Sequence, residues 1–422
     1  MKSVVLSRFI PDFERVYTFE VPSSKSILNR ALLWAAFTEG DTLVKCSAFG
    51  QDTQAILNCL AALEIKTETT NGGILVHGTP SPRKEANLNV GSAGTCARFL
   101  PAILACMGGN YHFDSSAQMK SRPMEFLIEL EKAGVQIEYA DKKYQFPFRI
   151  RSHGFCTNEF RVDTDVSTQY ASALLLAGAL GNSPVKVQLC GERVQGSYIK
   201  MTLALLKEFG CKVRRDGNAV TVSPIRSAPR EIEVEPDLSA ACYFYALALA
   251  FGIKVLVRKV KKNSLQGDTK FLDLLSARGV TFTQTDDGLL ADGSKVTAFE
   301  GFSENFNDFS DQTLTAAALA PFASTPSCLT GIGHIRKQEC DRIAAIEQNL
   351  QSLGVECHAE TDSVRIQPST PTGGQITTFS DHRVAMAFAL TALKIGGVKI
   401  DDATCCEKTF SEYFEQLNRL FD

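Results

Sequence analysis

The chain carries no excess of either charge: 44 Lys and Arg stand against 47 Asp and Glu, a formal net charge of −3 over 422 residues. That balance argues against a nucleic acid or an anionic membrane as partner, and any anion site must gather its positive charge locally. No C-x-x-C pair and no zinc-finger spacing occurs among the 13 cysteines, and none of the 6 histidines falls in an H-x-x-x-H pattern, so no metal site is expected. Apart from the adjacent Cys405-Cys406, the cysteines are scattered through apolar stretches and are expected as reduced, buried thiols. Long hydrophobic runs are missing as well. The longest, Tyr170–Leu180 and Ala240–Phe251, are too short to span a bilayer. The N-terminus alternates apolar and polar residues and meets Arg8 and Asp12 early, unlike a secretory signal. A cytoplasmic protein with neither membrane nor nucleic acid as partner is the expectation.

What the chain does have is length for two large cores and an internal repeat. A polar cluster followed by an Ala/Leu-rich helix, apolar nearly all round, recurs every 70–73 residues, starting near Ser24, Gly94, Ser167, Leu238, Asp311 and Asp381. Behind each comes a short β-rich run, such as Thr42–Lys45, Tyr111–Asp114 or Val398–Ile400. An amphipathic helix follows, for example with Ile343, Ile346, Leu350 and Leu353 at helical spacing. Alternating strands around polar turns then predict hairpins at Ile65–His77, Val135–Ile150, Val213–Val222, Val280–Ala291 and Val355–Ile366. The sixth unit ends in a helix over Phe410–Leu420 with no hairpin behind it, while residues 3–20 read as a hairpin with no helix before it. The first hairpin is therefore expected to complete the last repeat, which places both termini in one domain.

The expected fold is α/β: six βαβαββ-like units grouped three and three. One domain would comprise residues 1–21 with 235–422, the other residues 22–234, with crossings near Val21-Pro22 and Glu235-Pro236. Helices apolar on all faces must sit inside their domain. Six helix N-termini facing one interdomain cleft would make an anion-attracting site without a high net charge.

Several helix starts carry more polar groups than a cap requires. The first is Pro22-Ser23-Ser24-Lys25-Ser26 with Asn29-Arg30, the second Gly91-Ser92-Ala93-Gly94-Thr95 with Arg98, and the third Ser167-Thr168-Gln169. Asp311 opens the fifth and Ser380-Asp381-His382-Arg383 the sixth, while Glu339-Cys340-Asp341-Arg342 and Glu407-Lys408-Thr409 open amphipathic helices. Taken singly, each is as readily a capped or solvated turn. Together, Lys25, Arg30, Arg98, Arg342, Arg383 and Lys408 are cations at helix starts, where the dipole disfavours them, so an anion is expected to offset them.

These motifs, with Met119-Lys120-Ser121-Arg122-Pro123, Asn263-Ser264-Leu265-Gln266-Gly267-Asp268 and Lys408-Thr409-Phe410, resemble the 5-enolpyruvylshikimate-3-phosphate synthase family over essentially the whole chain. The resemblance implies a two-domain inverted α/β barrel with the active site between the domains, and no cofactor or metal. It implies transfer of the enolpyruvyl group of phosphoenolpyruvate to the 5-hydroxyl of shikimate 3-phosphate, with release of phosphate. A monomer is the expectation. Carried onto this chain, Lys25, Gly94, Gln169, Arg342, Arg383 and Lys408 hold phosphoenolpyruvate. Ser26, Arg30, Ser167, Thr168, Gln169, Tyr198 and Asp311 hold shikimate 3-phosphate. Asp311 deprotonates the 5-hydroxyl, and Glu339 with Lys25 supplies the other acid/base function.

The chain departs from the family pattern at Gln118, where an Arg before Met-Lys would grip phosphoenolpyruvate, and at Gln195, His334 and Gln338 on the sugar-phosphate side. These remain candidate contacts, and Phe99 and Ser92 are further departures. A UDP-N-acetylglucosamine enolpyruvyl transferase would carry Lys-Asn where this chain has Lys25-Ser26 and a Cys acid in its mobile loop. The remaining alternative is a non-catalytic sugar-phosphate binder or an RNA-end cyclase, against which stand the near-neutral charge and the retained Asp311, Glu339 and Lys25.

Overall fold

The computed structural model describes residues 2–225, 227 and 229–422. The chain folds into two compact units: a central unit, Ser23–Val234, and a terminal unit made of residues up to Pro22 together with Glu235–Asp422. Each has its own apolar core. Both are mixed α/β, and no helix among the described residues is long and apolar enough to cross a membrane.

The central unit holds three four-stranded sheets of one pattern. In one, Glu85–Asn89 runs parallel to Gly109–Asp114, which pairs antiparallel with Phe148–Ser152, itself the partner of Gln136–Tyr139. Glu159–Asp163 with Val185–Cys190, Ala219–Val222 and Val213–Asp216 repeats it, as does Glu231–Glu233 with Gly40–Lys45, Gly73–Gly78 and Thr67–Thr70. Alternation puts every second residue inward, so Phe113 and Phe148, paired across the ladder, stack with ring centroids 5.3 Å apart. Helices Lys25–Ala36, Gly94–Met107 and Thr168–Leu180 are buried on nearly all faces.

In the terminal unit Val16–Phe19 lies parallel to Lys254–Arg258, followed by Gly288–Asp292 and Thr281–Gln284. Two three-stranded sheets complete it: Ser327–Thr330, Ser363–Ile366 and Cys357–Ala359, then Gln375–Ile376, Val398–Ile400 and Val4–Leu6. Helix Leu238–Phe251 is buried at every residue, and helix His382–Ile395 at nearly all. The fifth repeated start is a 3-10 turn, Ser310–Gln312, leading into helix Thr313–Leu319.

The expected hairpin over residues 3–20 does not form. Val4–Leu6 pairs antiparallel with Val398–Ile400, whereas Val16–Phe19 joins a different sheet beside Lys254–Arg258. The segment between them is too long for a tight turn, and it is pinned instead by Phe9, whose ring packs edge-on against Tyr17 and Phe251 and whose N–H donates to Leu393 O. The C-terminal helix is also shorter than expected, Tyr413–Asn418. All 13 cysteines are free, but only Cys59, Cys96, Cys211, Cys242, Cys357 and Cys406 are buried, and Cys156 is exposed.

Candidate active site

In the terminal unit, four chain segments deliver a buried cluster of charge. Asp381 caps helix His382–Ile395 by accepting from the Arg383 N–H, which fixes its carboxylate at the helix start. Both of its oxygens then take Arg342, Nε at 2.8 Å and Nη2 at 3.2 Å, a bidentate pair with side chains 0% and 2% exposed. The remaining Arg342 Nη1 donates to Asp311 at 2.9 Å and to Gln338. Asp311 is held a second time, by Arg383 Nη2 at 2.9 Å. Burial alone would depress the Arg342 guanidinium, but Asp381 and Asp311 overcome it and hold the group well above its ordinary value.

Glu339 takes Lys408 Nζ at 3.1 Å and His382 Nδ1 at 3.0 Å. Burial works against its charge, yet His382 and Lys408 prevail and keep the carboxyl well below the usual range. Burial pushes the His382 imidazole below its ordinary value, against the pull of Glu339, to which its Nδ1–H donates. Three cations, Arg342, Arg383 and Lys408, thus face three carboxylates, Asp311, Glu339 and Asp381. His334 bonds Ser310 Oγ at 2.8 Å, beside Asp311.

Glu339, Asp381 and His382 also bring possible metal-ligand atoms within 4.8 Å of one another. The donor set fits a metal poorly, because Lys408 and Arg342 already sit on the two carboxylates and would repel a cation.

In the central unit, Lys25 opens its helix paired with Asp52 at 3.0 Å. Ser167 Oγ accepts from the Gln169 N–H, leaving Gln169 half-buried. A Cβ placed on Gly94 would lie 3.2 Å from Arg122 Nη1 and 3.4 Å from Gln169 Oε1, so the glycine turn, the guanidinium and the amide converge. Arg98, expected at this helix start, is instead 2% exposed and braces the segment on both sides of Arg122: it donates to Pro123 O at 2.8 Å and to Met119 Sδ at 3.2 Å. Burial, with the Arg122 charge adding to it, lowers its pKa to about 9.

Arg30 is also internal, 1% exposed. It donates to Thr202 Oγ1, Ser172 Oγ and Ser26 O, lies over the Phe99 ring, and is lowered by burial to about 10. Tyr198 is half-buried on helix Ser197–Glu208, and its carbonyl accepts from Thr202. Thr168 is buried, Gln195 is exposed, and Gln118 is half-buried on the short helix Ala117–Lys120.

The offsetting charge expected at the cationic helix starts is largely supplied by the chain itself. Asp52 answers Lys25, Asp311 and Asp381 answer Arg342, Asp311 answers Arg383, and Glu339 answers Lys408. Arg30 and Arg98 rest on neutral oxygens and sulfur. The cation beside Gly94 is Arg122, four residues beyond Gln118 and absent from the expected set. Sequence reading also passed over Asp52, Asp381 and His382 as contacts.

The mixed α/β fold of many sheets and helices is shared with solved structures. The EPSP synthase of Acinetobacter baumannii superposes with a TM-score of 0.79 at 24% identity, covering 100% of this chain and 98% of that one. The enolpyruvyl transferase NikO from Streptomyces tendae superposes at 0.73 with 14% identity, covering 99% and 96%. Sequence relatives are more specific. The 3-phosphoshikimate 1-carboxyvinyltransferase of Nostoc punctiforme is 36% identical over 413 residues, 96% of each chain, and that of Ralstonia nicotianae 38% over 418 residues, 94% of this chain and 95% of its own. The family model for EPSP synthase (3-phosphoshikimate 1-carboxyvinyltransferase) matches residues 17–417, and the chain belongs to that family.

Proposed function

We propose that this chain moves the enolpyruvyl group of phosphoenolpyruvate onto the 5-hydroxyl of shikimate 3-phosphate and releases phosphate, a transferase step of aromatic amino-acid biosynthesis. The observation that carries the site assignment is the pairing of Asp311 and Glu339, at 2.9–3.1 Å, with Arg342, Arg383 and Lys408 inside one buried cluster. Such a cluster supplies what the reaction needs: cations for a phosphate and a carboxylate, and two carboxyl groups to move protons.

In this reading Lys25, Gly94, Gln169, Arg342, Arg383 and Lys408 bind phosphoenolpyruvate, with Gln118 as a further contact, and Arg122 joins them. Ser26, Arg30, Ser167, Thr168, Gln169, Tyr198 and Asp311 take shikimate 3-phosphate, with Gln195, His334 and Gln338 as further contacts. Asp311 accepts the 5-hydroxyl proton as that oxygen attacks C2 of phosphoenolpyruvate. Glu339, helped by Lys25, delivers a proton to C3 and later removes one, so that the C2–O bond to phosphate breaks and the double bond returns. We read the six sheets and buried helices as six repeats of an inverted α/β barrel, three in each unit. A cytoplasmic monomer completes the reading.

Phosphate release, measured with phosphoenolpyruvate and either shikimate 3-phosphate or UDP-N-acetylglucosamine, tests it. Turnover with the shikimate acceptor alone is expected. Turnover only with the nucleotide sugar, or with neither, overturns the assignment.

A further inference from the structure

Lys25 has a companion that none of the roles above uses. Asp52 is the second residue of helix Gln51–Ala62, and its Oδ2 accepts from Lys25 Nζ at 3.0 Å, with the lysine side chain 20% and the carboxylate 3% exposed. The helix carrying Asp52 is held in register by its next residue. Thr53 Oγ1 donates to Asn29 Oδ1 at 2.9 Å, and Asn29 Nδ2 donates to Thr95 Oγ1 at 2.7 Å, so the starts of three helices are tied together by buried bonds. Asp52 and Thr53 therefore hold Lys25 and the Gly94-Thr95 turn at once.

The carboxylate is a poor device for stability. Its Oδ1 is buried and has no partner among the described residues, and a buried ion pair recovers its desolvation cost only when the remaining lone pairs are satisfied. The neighbouring Cys96 thiol, pushed well above its ordinary value by burial first and 3.8 Å from Cys59 Sγ, brings no charge to offset it. What Asp52 accomplishes is to fix where the Lys25 ammonium points and how strongly it attracts an anion.

We infer that Asp52 is a positioning residue for Lys25: it orients the ammonium for proton transfer and competes with the substrate anion for it. The inference rests on the acid/base and anion-binding role proposed for Lys25. It makes an opposed prediction that a merely structural role does not. In Asp52→Asn the ammonium loses its anchor, so kcat falls about 10–100-fold, the cost of a roughly 1 Å misplacement. It also loses its competitor, so the KM for phosphoenolpyruvate stays level or drops. Asp52→Glu keeps the charge, and with it the competition for the ammonium, while still losing kcat.

Full-length wild-type, Asp52→Asn and Asp52→Glu proteins are compared by phosphate release. The Lys25 environment is followed in parallel by NMR of ¹³C-methylated lysines, assigned with Lys25→Arg. A displaced and broadened Lys25 signal in Asp52→Asn, with kcat down and KM not raised, supports the inference. An unchanged Lys25 signal, or kcat falling with KM rising equally in both variants, overturns it. Should Asp52→Asn not fold, Asp52→Glu alone decides: wild-type kcat overturns the positioning role. A wild-type protein without turnover points to failure of the functional reading, whereas the Lys25 NMR signal still reports on the pair itself.

Discussion

Asp311 sits between two guanidiniums, Arg342 and Arg383, each at 2.9 Å. A substrate phosphate or carboxylate that engages those arginines would compete with Asp311 for them. Asp311→Asn should lower kcat by about 10²–10⁴, the usual worth of a positioned proton acceptor. The same variant should bind phosphoenolpyruvate more tightly than wild type, because three cations then face two carboxylates; calorimetry alongside kinetics separates the two effects. Asp268 gives a different signal. It is buried, and burial first, then the Asp311 charge, raises its pKa from 3.8 to about 6 while Gln312 Nε2 donates to it at 2.7 Å. The folded pKa lies above the unfolded one, so the contribution to stability is complete below about pH 4 and is lost as pH rises through about 6. Asp268→Asn keeps the acceptor oxygen and removes the ionisation. Its stability relative to wild type should rise between pH 4 and 7.5 by up to about 3 kcal/mol, read from urea midpoints.

At the scale of elements, two helix caps that look alike in sequence do unequal work. Asp237 accepts from the Ala240 N–H at the start of helix Leu238–Phe251, and Asp381 accepts from the Arg383 N–H at the start of helix His382–Ile395. Asp237→Ala should cost about 1 kcal/mol, the ordinary worth of a cap. Asp381→Ala should cost about 3–5 kcal/mol, because Arg342, 2% exposed, loses its bidentate partner. Equal losses in urea denaturation would contradict the difference. The helix starts were legible in the sequence: Lys25, Gly94, Thr168, Leu238 and His382 each begin a helix within one residue of the repeat positions, since a polar cluster ahead of an all-apolar run leaves little alternative. The partners of the charges were not. Asp52 lies 27 residues from Lys25, and Asp381 39 from Arg342, on elements whose approach is decided by packing. Arg122 belongs to the Met119–Pro123 motif and, with Lys120, is the nearby cation that could stand in for the one missing at Gln118; Arg98 braces this segment, and it is Arg122 that lies beside Gly94. The 3–20 segment failed because alternation marks a strand without naming its partner.

For the molecule as a whole, the two units differ in how the chain supplies them. The central unit is one unbroken stretch, Ser23–Val234, with its own core, so residues 23–234 expressed alone should unfold cooperatively in urea with a near-native circular dichroism spectrum. A non-cooperative transition would show that its core needs the rest of the chain. The terminal unit is different, since Val4–Leu6 finds its partner only at Val398–Ile400. On the ribosome, at the usual 5–20 residues per second, the first strand waits about 20–80 s for the last one to be made. Through that interval its N–H and C=O groups stay unpaired in the nascent polypeptide, while everything needed for the central unit has already emerged. Biogenesis therefore runs from the middle of the gene product outward, and the early strand is the segment most exposed to chaperones and to mispairing with neighbouring chains before synthesis ends.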